Sequence, residues 1–194
     1  MSLPDVLSPL AVELARKPLN ELASLVVTAS TSAEARSLLC NISPEQLLNV
    51  PIQDASSAAA LLAGLWLGHD ALEEGHRLAQ EIDSPTGSFW HAIMHRREGD
   101  FSNAKYWYAR CRGHPAQRSI TASMASLAQA AGVDPPGKRL VAVQWDGPEL
   151  VDLVESVYRR PADTKARLAQ RLQQIEWEGL FAYCALAAAG RSTE

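Results

Sequence analysis

Apolar positions recur along this chain at three- and four-residue spacing, and the strict alternation of a half-buried strand is missing. Pro and Gly cut the pattern into helices. In the first fifty residues, short helices are predicted from Leu19 to about Ala29 and from Ala33 to Cys40, the latter capped by Thr31 or Ser32. A third starts at Pro44, with Ser43 as N-cap and proline in the first helical position. An apolar helix from Ser56 to about Leu67 ends at Gly68. Asp70 and Glu73 then stand at capping-box spacing before a helix over 71–82. Residues 83–87 read as a turn, 88–98 as a helix, Gly99-Asp100 as a break, 101–111 as a helix and 116–131 as another. Gly132 to Lys138 reads as a linker. The best strand candidate, 140–145, is a single short run and reads as an extended connector, because one run makes no sheet. Two further helices are expected over 148–159 and 163–189.

The fold this implies is all-α, an array of antiparallel helical hairpins in a single compact domain. Residues 1–50 supply short helices packing on the core, 51–132 the central hairpins, 133–145 the linker and 146–190 a C-terminal helical pair. Hydrophobic residues at 47% and charged residues at 21% of 194 exclude a largely disordered chain. Mean hydropathy is -0.11, and no stretch approaches a membrane-spanning apolar run. A net charge of -4 argues against a globally basic nucleic-acid binder. Cys40, Cys111 and Cys184 form no Cys-x-x-Cys pair and read as small buried hydrophobes, their odd number favouring a reducing compartment. The N-terminus lacks a charged segment followed by an apolar run, so a cytoplasmic location is expected.

Gly99-Asp100-Phe101-Ser102-Asn103-Ala104 resembles the turn of a tetratricopeptide repeat. Ala104, Tyr108 and Cys111 follow the spacing of such a repeat's second helix, Ala92 takes the small position of the first, and Pro115 lies near the terminating proline. Ser88 stands where the repeat carries Trp. A weaker copy over 61–82 aligns Gly75 with Ala104 at a shorter period than the roughly 34 residues of tetratricopeptide units. The resemblance therefore implies one repeat-like hairpin rather than a regular solenoid. The segment Trp90-His91-Ala92-Ile93-Met94-His95-Arg96-Arg97-Glu98-Gly99-Asp100-Phe101-Ser102-Asn103-Ala104-Lys105-Tyr106-Trp107 also resembles a family of bacterial and fungal proteins of uncharacterised activity. The run from Glu176 to Cys184 resembles that family's C-terminal helix. This likeness implies a shared helical fold and carries no activity.

Four of the five histidines cluster between positions 69 and 95. At about 100° per residue, His91, His95 and Glu98 fall within roughly 60° on one helix face. Two imidazoles and a carboxylate could hold a divalent metal if His76 of the preceding helix joined them, with Glu73 beside it. The opposite reading is a solvated polar face, or one packed on a neighbouring helix through hydrogen bonds, because Phe89, Trp90, Ile93 and Met94 lie across the helix. Arg97 projects into that apolar side and needs a partner, either an aromatic face or a carboxylate, for which Asp100, Glu176 and Glu178 are candidates; the sharper reading is an anion-binding arginine. Residues 91–118 carry six basic groups (Arg96, Arg97, Lys105, Arg110, Arg112, Arg118) against two acids, interleaved with Tyr106, Trp107 and Tyr108. A phosphate-bearing ligand would suit such a surface, but core aromatics with a solvated basic rim account for it better, and nucleic acid is disfavoured. No nucleophile elbow, Walker loop or dinucleotide fingerprint occurs. The reading is a ligand-binding or protein-interaction module whose candidate ligand-binding residues are His76, His91, His95, Arg97, Glu98, Asn103 and Trp107. A metal-dependent enzyme using His76, His91 and His95 is the alternative. Partner and oligomeric state are open.

Overall fold

The computed structural model describes residues 3–21, 24–27, 33–131 and 145–191. These form α1 (Leu3–Val6), α2 (Pro9–Glu21), α3 (Ala33–Leu39), a 3-10 turn (Pro44–Leu47), α4 (Ala55–Gly68), α5 (Leu72–Gln80), α6 (Pro85–Glu98), α7 (Phe101–Arg110), α8 (Ala116–Ala131), α9 (Gly147–Val157) and α10 (Thr164–Ala188). Consecutive helices pack side by side from α4 through α7, giving stacked antiparallel hairpins with a tetratricopeptide-like arrangement. The long α10 closes the stack, lying on α4 and α8, and α9 bridges α7 and α10. No described helix is long and apolar enough to cross a membrane.

Two helices sit at the centre. α4 contains only Ala, Leu, Gly, Ser and Trp, and it is buried from Ala60 to Gly68. A helix apolar on every side belongs in a core. α6 is buried from Thr86 to Arg97 although half of its side chains are polar, and this placement creates the candidate site.

The repeat-like hairpin is α6 and α7. Gly99 terminates α6 at φ 90°, a left-handed position that glycine adopts without Cβ strain. The Asp100 carboxylate then caps α7 through the Asn103 N–H at 3.2 Å. Ala92 and Ala104 are fully buried where the helices meet. In the weaker copy, Gly75 faces the Leu67 side chain, so the small position is used there as well.

The N-terminal prediction is corrected. The helix is Pro9–Glu21, and Ser24 to Val27 is extended and turn-like, with Val27 donating to the Arg97 carbonyl at 2.7 Å. The segment caps the end of α6 rather than continuing a helix toward Ala29. The third N-terminal element is a 3-10 turn in which the Gln46 side chain accepts from the Ser43 N–H at 2.8 Å. α6 begins three residues early, because Ser84 caps it and Pro85 starts it. The linker and connector expected over 132–144 lie outside the described residues.

Gly64 of α4 takes the Trp90 ring of α6 at a distance only a hydrogen allows; a methyl there would lie 2.6 Å from the indole. Trp90 cannot retreat, since it abuts Trp177 (ring centres 6.5 Å apart), whose Nε1–H donates to the Gly64 carbonyl at 2.8 Å. Gly64→Ala is expected to cost about 1–3 kcal/mol through overpacking, read as a lower urea midpoint. A wild-type midpoint would show that the indole pair can yield.

Candidate metal centre

α6 presents four ionisable side chains between His91 and Arg97, two arginines with separate partners and two histidines that share His76. Arg96 points between α7 and α10. Its guanidinium pairs with Glu176 (Nη2 to Oε2, 2.6 Å) and donates to the Tyr108 hydroxyl, which donates to Glu176 Oε1 at 2.6 Å. Arg96 and Glu176 are fully buried. Burial alone would weaken the hold of Arg96 on its proton, but the facing carboxylate and the hydrogen bonds reverse this and hold it above the usual value. Burial pushes the Tyr108 phenol well above its ordinary range, so it keeps its proton and donates.

Arg97 turns the other way. It donates to the Leu67 carbonyl and to the Asp70 carboxylate, so its partner is none of Asp100, Glu176 and Glu178. Asp70 reaches it from the α4–α5 turn with φ 64°, a left-handed conformation that a non-glycine residue seldom adopts. The predicted capping box is corrected too: the N-cap of α5 is Ala71, because Asp70 spends its carboxylate on the buried guanidinium.

The remaining face holds the histidines. His91 and His95 are buried and not solvated, because α5 and α7 cover that side of α6. His76 of α5 stands edge-on to both, with ring centres 4.7 Å from His91 and 5.4 Å from His95. His91 and His95 are stacked at 5.8 Å. One ligand nitrogen from each of the three lies within 4.8 Å of the others. The cluster is thus poised to coordinate a divalent metal ion. Ligands about 2.0–2.1 Å from a tetrahedral zinc lie roughly 3.4 Å apart, so the rings close in by rotation about their side-chain torsions, with the half-buried His76 best placed to move.

Both histidines of α6 have partners of their own. His91 lies flat on the Trp107 indole (centres 4.1 Å, planes 8° apart) and hydrogen-bonds the Gly87 backbone one turn earlier. His95 has Nδ1 3.0 Å from Glu98 Oε2. Metal-bound imidazoles commonly give their second nitrogen to a carbonyl or carboxylate, and both histidines of α6 have such a partner. Glu98, considered above beside the imidazoles, is therefore an outer partner of His95, half exposed. Asn103 Nδ2 is 3.1 Å from His95 Nε2 and 3.4 Å from Nδ1. A donor nearly equidistant from both nitrogens is aimed along neither in-plane lone pair. Of the seven candidates, six converge; Arg97 does not.

Burial, and then the neighbouring His76 and His95, push His91 down to about 4. Burial lowers His76 as well, with His95 adding to the shift and Glu98 opposing it. At neutral pH these rings keep their lone pairs.

The basic surface is reduced, with Arg112 and Arg118 still exposed. Arg96 and Arg97 are interior, Lys105 pairs with Asp152, and Arg110 lies over the rings of Trp107 and Tyr106 at 5.3 and 5.8 Å. Cys111 and Cys184 are buried as expected, but Cys40 is exposed just beyond α3. Sequence reasoning missed the Arg96–Tyr108–Glu176 network. The helical wheel held a signal for it, since Arg96 continues the buried row of Phe89 and Ala92. It also missed His114, whose Nδ1 accepts from the Ala116 N–H at 3.2 Å, so that Nε2 carries the proton and donates to Thr86 Oγ1 at 3.0 Å.

No protein family, curated protein or solved structure is found to match the chain.

Two outcomes are expected. Arg96→Met alone strands a buried carboxylate and should cost about 3–5 kcal/mol, whereas Arg96→Met with Glu176→Met should recover much of the loss. Urea unfolding of the two variants checks this, and equal losses would deny the pair its role. Separately, His91 and His114 are both held near 4, the latter by burial. The unfolded chain takes up protons on them below about 6.5 while the folded one does not. Stability should therefore fall as pH drops from about 6.5 to about 4 and level off below. A urea midpoint unchanged over that window would contradict it.

Proposed function

We propose that the protein is a metal-binding domain that holds a divalent transition ion through His76, His91 and His95. The observation that carries this reading is the convergence of three imidazole nitrogens from two helices. The outer partners of His91 and His95 and the depressed proton affinity of His91 support it. An all-imidazole set suits zinc, copper, nickel or cobalt rather than calcium or magnesium, which prefer oxygen ligands. Three protein ligands leave a coordination position for water or a small molecule, as in catalytic zinc sites. A metal-dependent enzyme is thus the second reading, favoured by that open position alone. The partner in the first reading is the ion together with a small molecule or a protein group completing its coordination, in the cytoplasm.

The resemblance to the bacterial and fungal family belongs to this proposal. The segment that carries it contains His91, His95, Glu98, Asn103 and Trp107, and family members sharing it would bind metal in the same way where they also carry the counterpart of His76.

Titration with Co²⁺ tests the reading. Purified protein should bind one equivalent with visible ligand-field bands, and His91→Ala or His95→Ala should abolish them. Glu98→Gln should weaken binding by about 10–100-fold while keeping the stoichiometry. Binding that persists in the His91→Ala, His95→Ala double variant would overturn the assignment.

A further inference from the structure

The histidine rings lead outward along one path. His91 lies flat on Trp107, with centres 4.1 Å apart and planes at 8°, and Trp107 meets Tyr106 edge-on at 5.5 Å. Among the described residues, no aromatic ring other than Trp107 touches His76, His91 or His95. The remaining ring contacts form separate groups: Trp90 with Trp177 and Phe181, Phe89 with Tyr108, His114 and Tyr183, and Phe101 with Tyr158.

Packing accounts for Trp107 but not for Tyr106, which is 56% exposed. Its phenol ends the path in water. Arg110 lies over both rings, 5.3 Å from the centre of Trp107 and 5.8 Å from that of Tyr106, and donates to the Tyr106 hydroxyl at 3.4 Å. A cation shared by two ring faces holds them together, and its donor stays in place when the phenol gives up a proton. The path also answers a problem of access. His91 and His95 are buried, and α5, α6 and α7 enclose the place where their nitrogens meet His76. A protein or other bulky redox partner cannot touch an ion there. Indole and phenol are among the side chains most readily oxidised by one electron, and here they stand in contact from a ligand to the solvent.

We propose that the ion is copper and that Trp107 and Tyr106 carry single electrons between it and the surface. The proposal rests on the metal-binding reading and narrows it. Of the ions that suit imidazole, zinc holds a fixed charge and gives the path nothing to carry, whereas copper passes readily between Cu⁺ and Cu²⁺. Neutral imidazoles without a carboxylate ligand also suit the lower charge. Outward transfer balances as follows. A one-electron oxidant at the surface takes an electron from Tyr106, and the phenol releases its proton to water. The phenoxyl then takes an electron from Cu⁺ through Trp107 and recovers a proton from water. The net change is one electron moved from Cu⁺ to the oxidant, leaving Cu²⁺ and an intact tyrosine.

Pulse radiolysis tests this with the azide radical as oxidant, which becomes azide. Full-length protein charged anaerobically with one equivalent of Cu⁺ receives less than one radical per chain. The phenoxyl absorbance should decay by a first-order process independent of protein concentration, and the Cu²⁺ resonance should appear in matching amount. In the Zn²⁺-loaded protein the phenoxyl should persist until two radicals meet. Trp107→Phe keeps a ring against His91 but is far harder to oxidise, so the first-order phase should be lost with copper still bound. Tyr106 touches no ligand, so Tyr106→Phe should also keep its copper and lose the phenoxyl decay that feeds the ion; this variant decides the matter even where Trp107→Phe sheds the metal. Bound Cu⁺ that is not oxidised in the wild type, or transfer unchanged in Tyr106→Phe, would overturn the relay alone. Absence of Cu⁺ binding, or equal binding by the His91→Ala, His95→Ala variant, would overturn the metal site and the relay together.

Discussion

The structure depends on one constraint: α6 is enclosed on every side while carrying His91, His95, Arg96 and Arg97. Each of those groups, once removed from water, must find a partner or lose several kcal/mol. The surrounding elements are placed accordingly. α10 brings Glu176, α7 brings Tyr108, and the α4–α5 turn adopts a left-handed residue to bring Asp70. Buried polar groups satisfied in this way fix which helix neighbours which, where an apolar helix could rotate or slide.

The histidine face is answered differently. Its neighbours are a third imidazole, an indole, an amide and one half-exposed carboxylate. Nothing there carries a full buried counter-charge, and the ring nitrogens of three imidazoles meet in one place. Converging nitrogen donors are what a cation-binding pocket requires, and the contrast with the paired arginines on the same helix separates structural polarity from chemistry.

Much of the architecture was legible in the sequence. The α6–α7 turn declared itself through Gly99-Asp100 and the small residues after it, and α8 matches its predicted bounds because Pro115 and the apolar run define it. His91, His95 and Glu98 could be grouped from spacing alone, and His76 could be named as the ring from the next helix. What could not be read was which face would be covered. The wheel of α6 looks amphipathic, with histidines opposite Trp90, and only the packing of α5 and α7 on it turns a polar face inward. Partners far apart in the chain were equally hidden: nothing local ties Arg97 to Asp70 or Arg96 to Glu176. The N-terminal helix was misplaced because prolines there read as breaks between short helices, while α2 runs through Pro18 to Glu21.

The two polar systems of α6 differ in how far along the chain they reach. The imidazole cluster needs only adjacent hairpins, whereas Tyr108 and Glu176 are 68 residues apart. Short-range contacts form before long-range ones, because less loop entropy is lost in closing them. In loop entropy the histidine pocket therefore costs less to close than the Arg96 network, which needs α10 in place. Docking of α10 is then the step that seals the interior, and the ion pair acts as the latch that distinguishes a finished molecule from a nearly finished one.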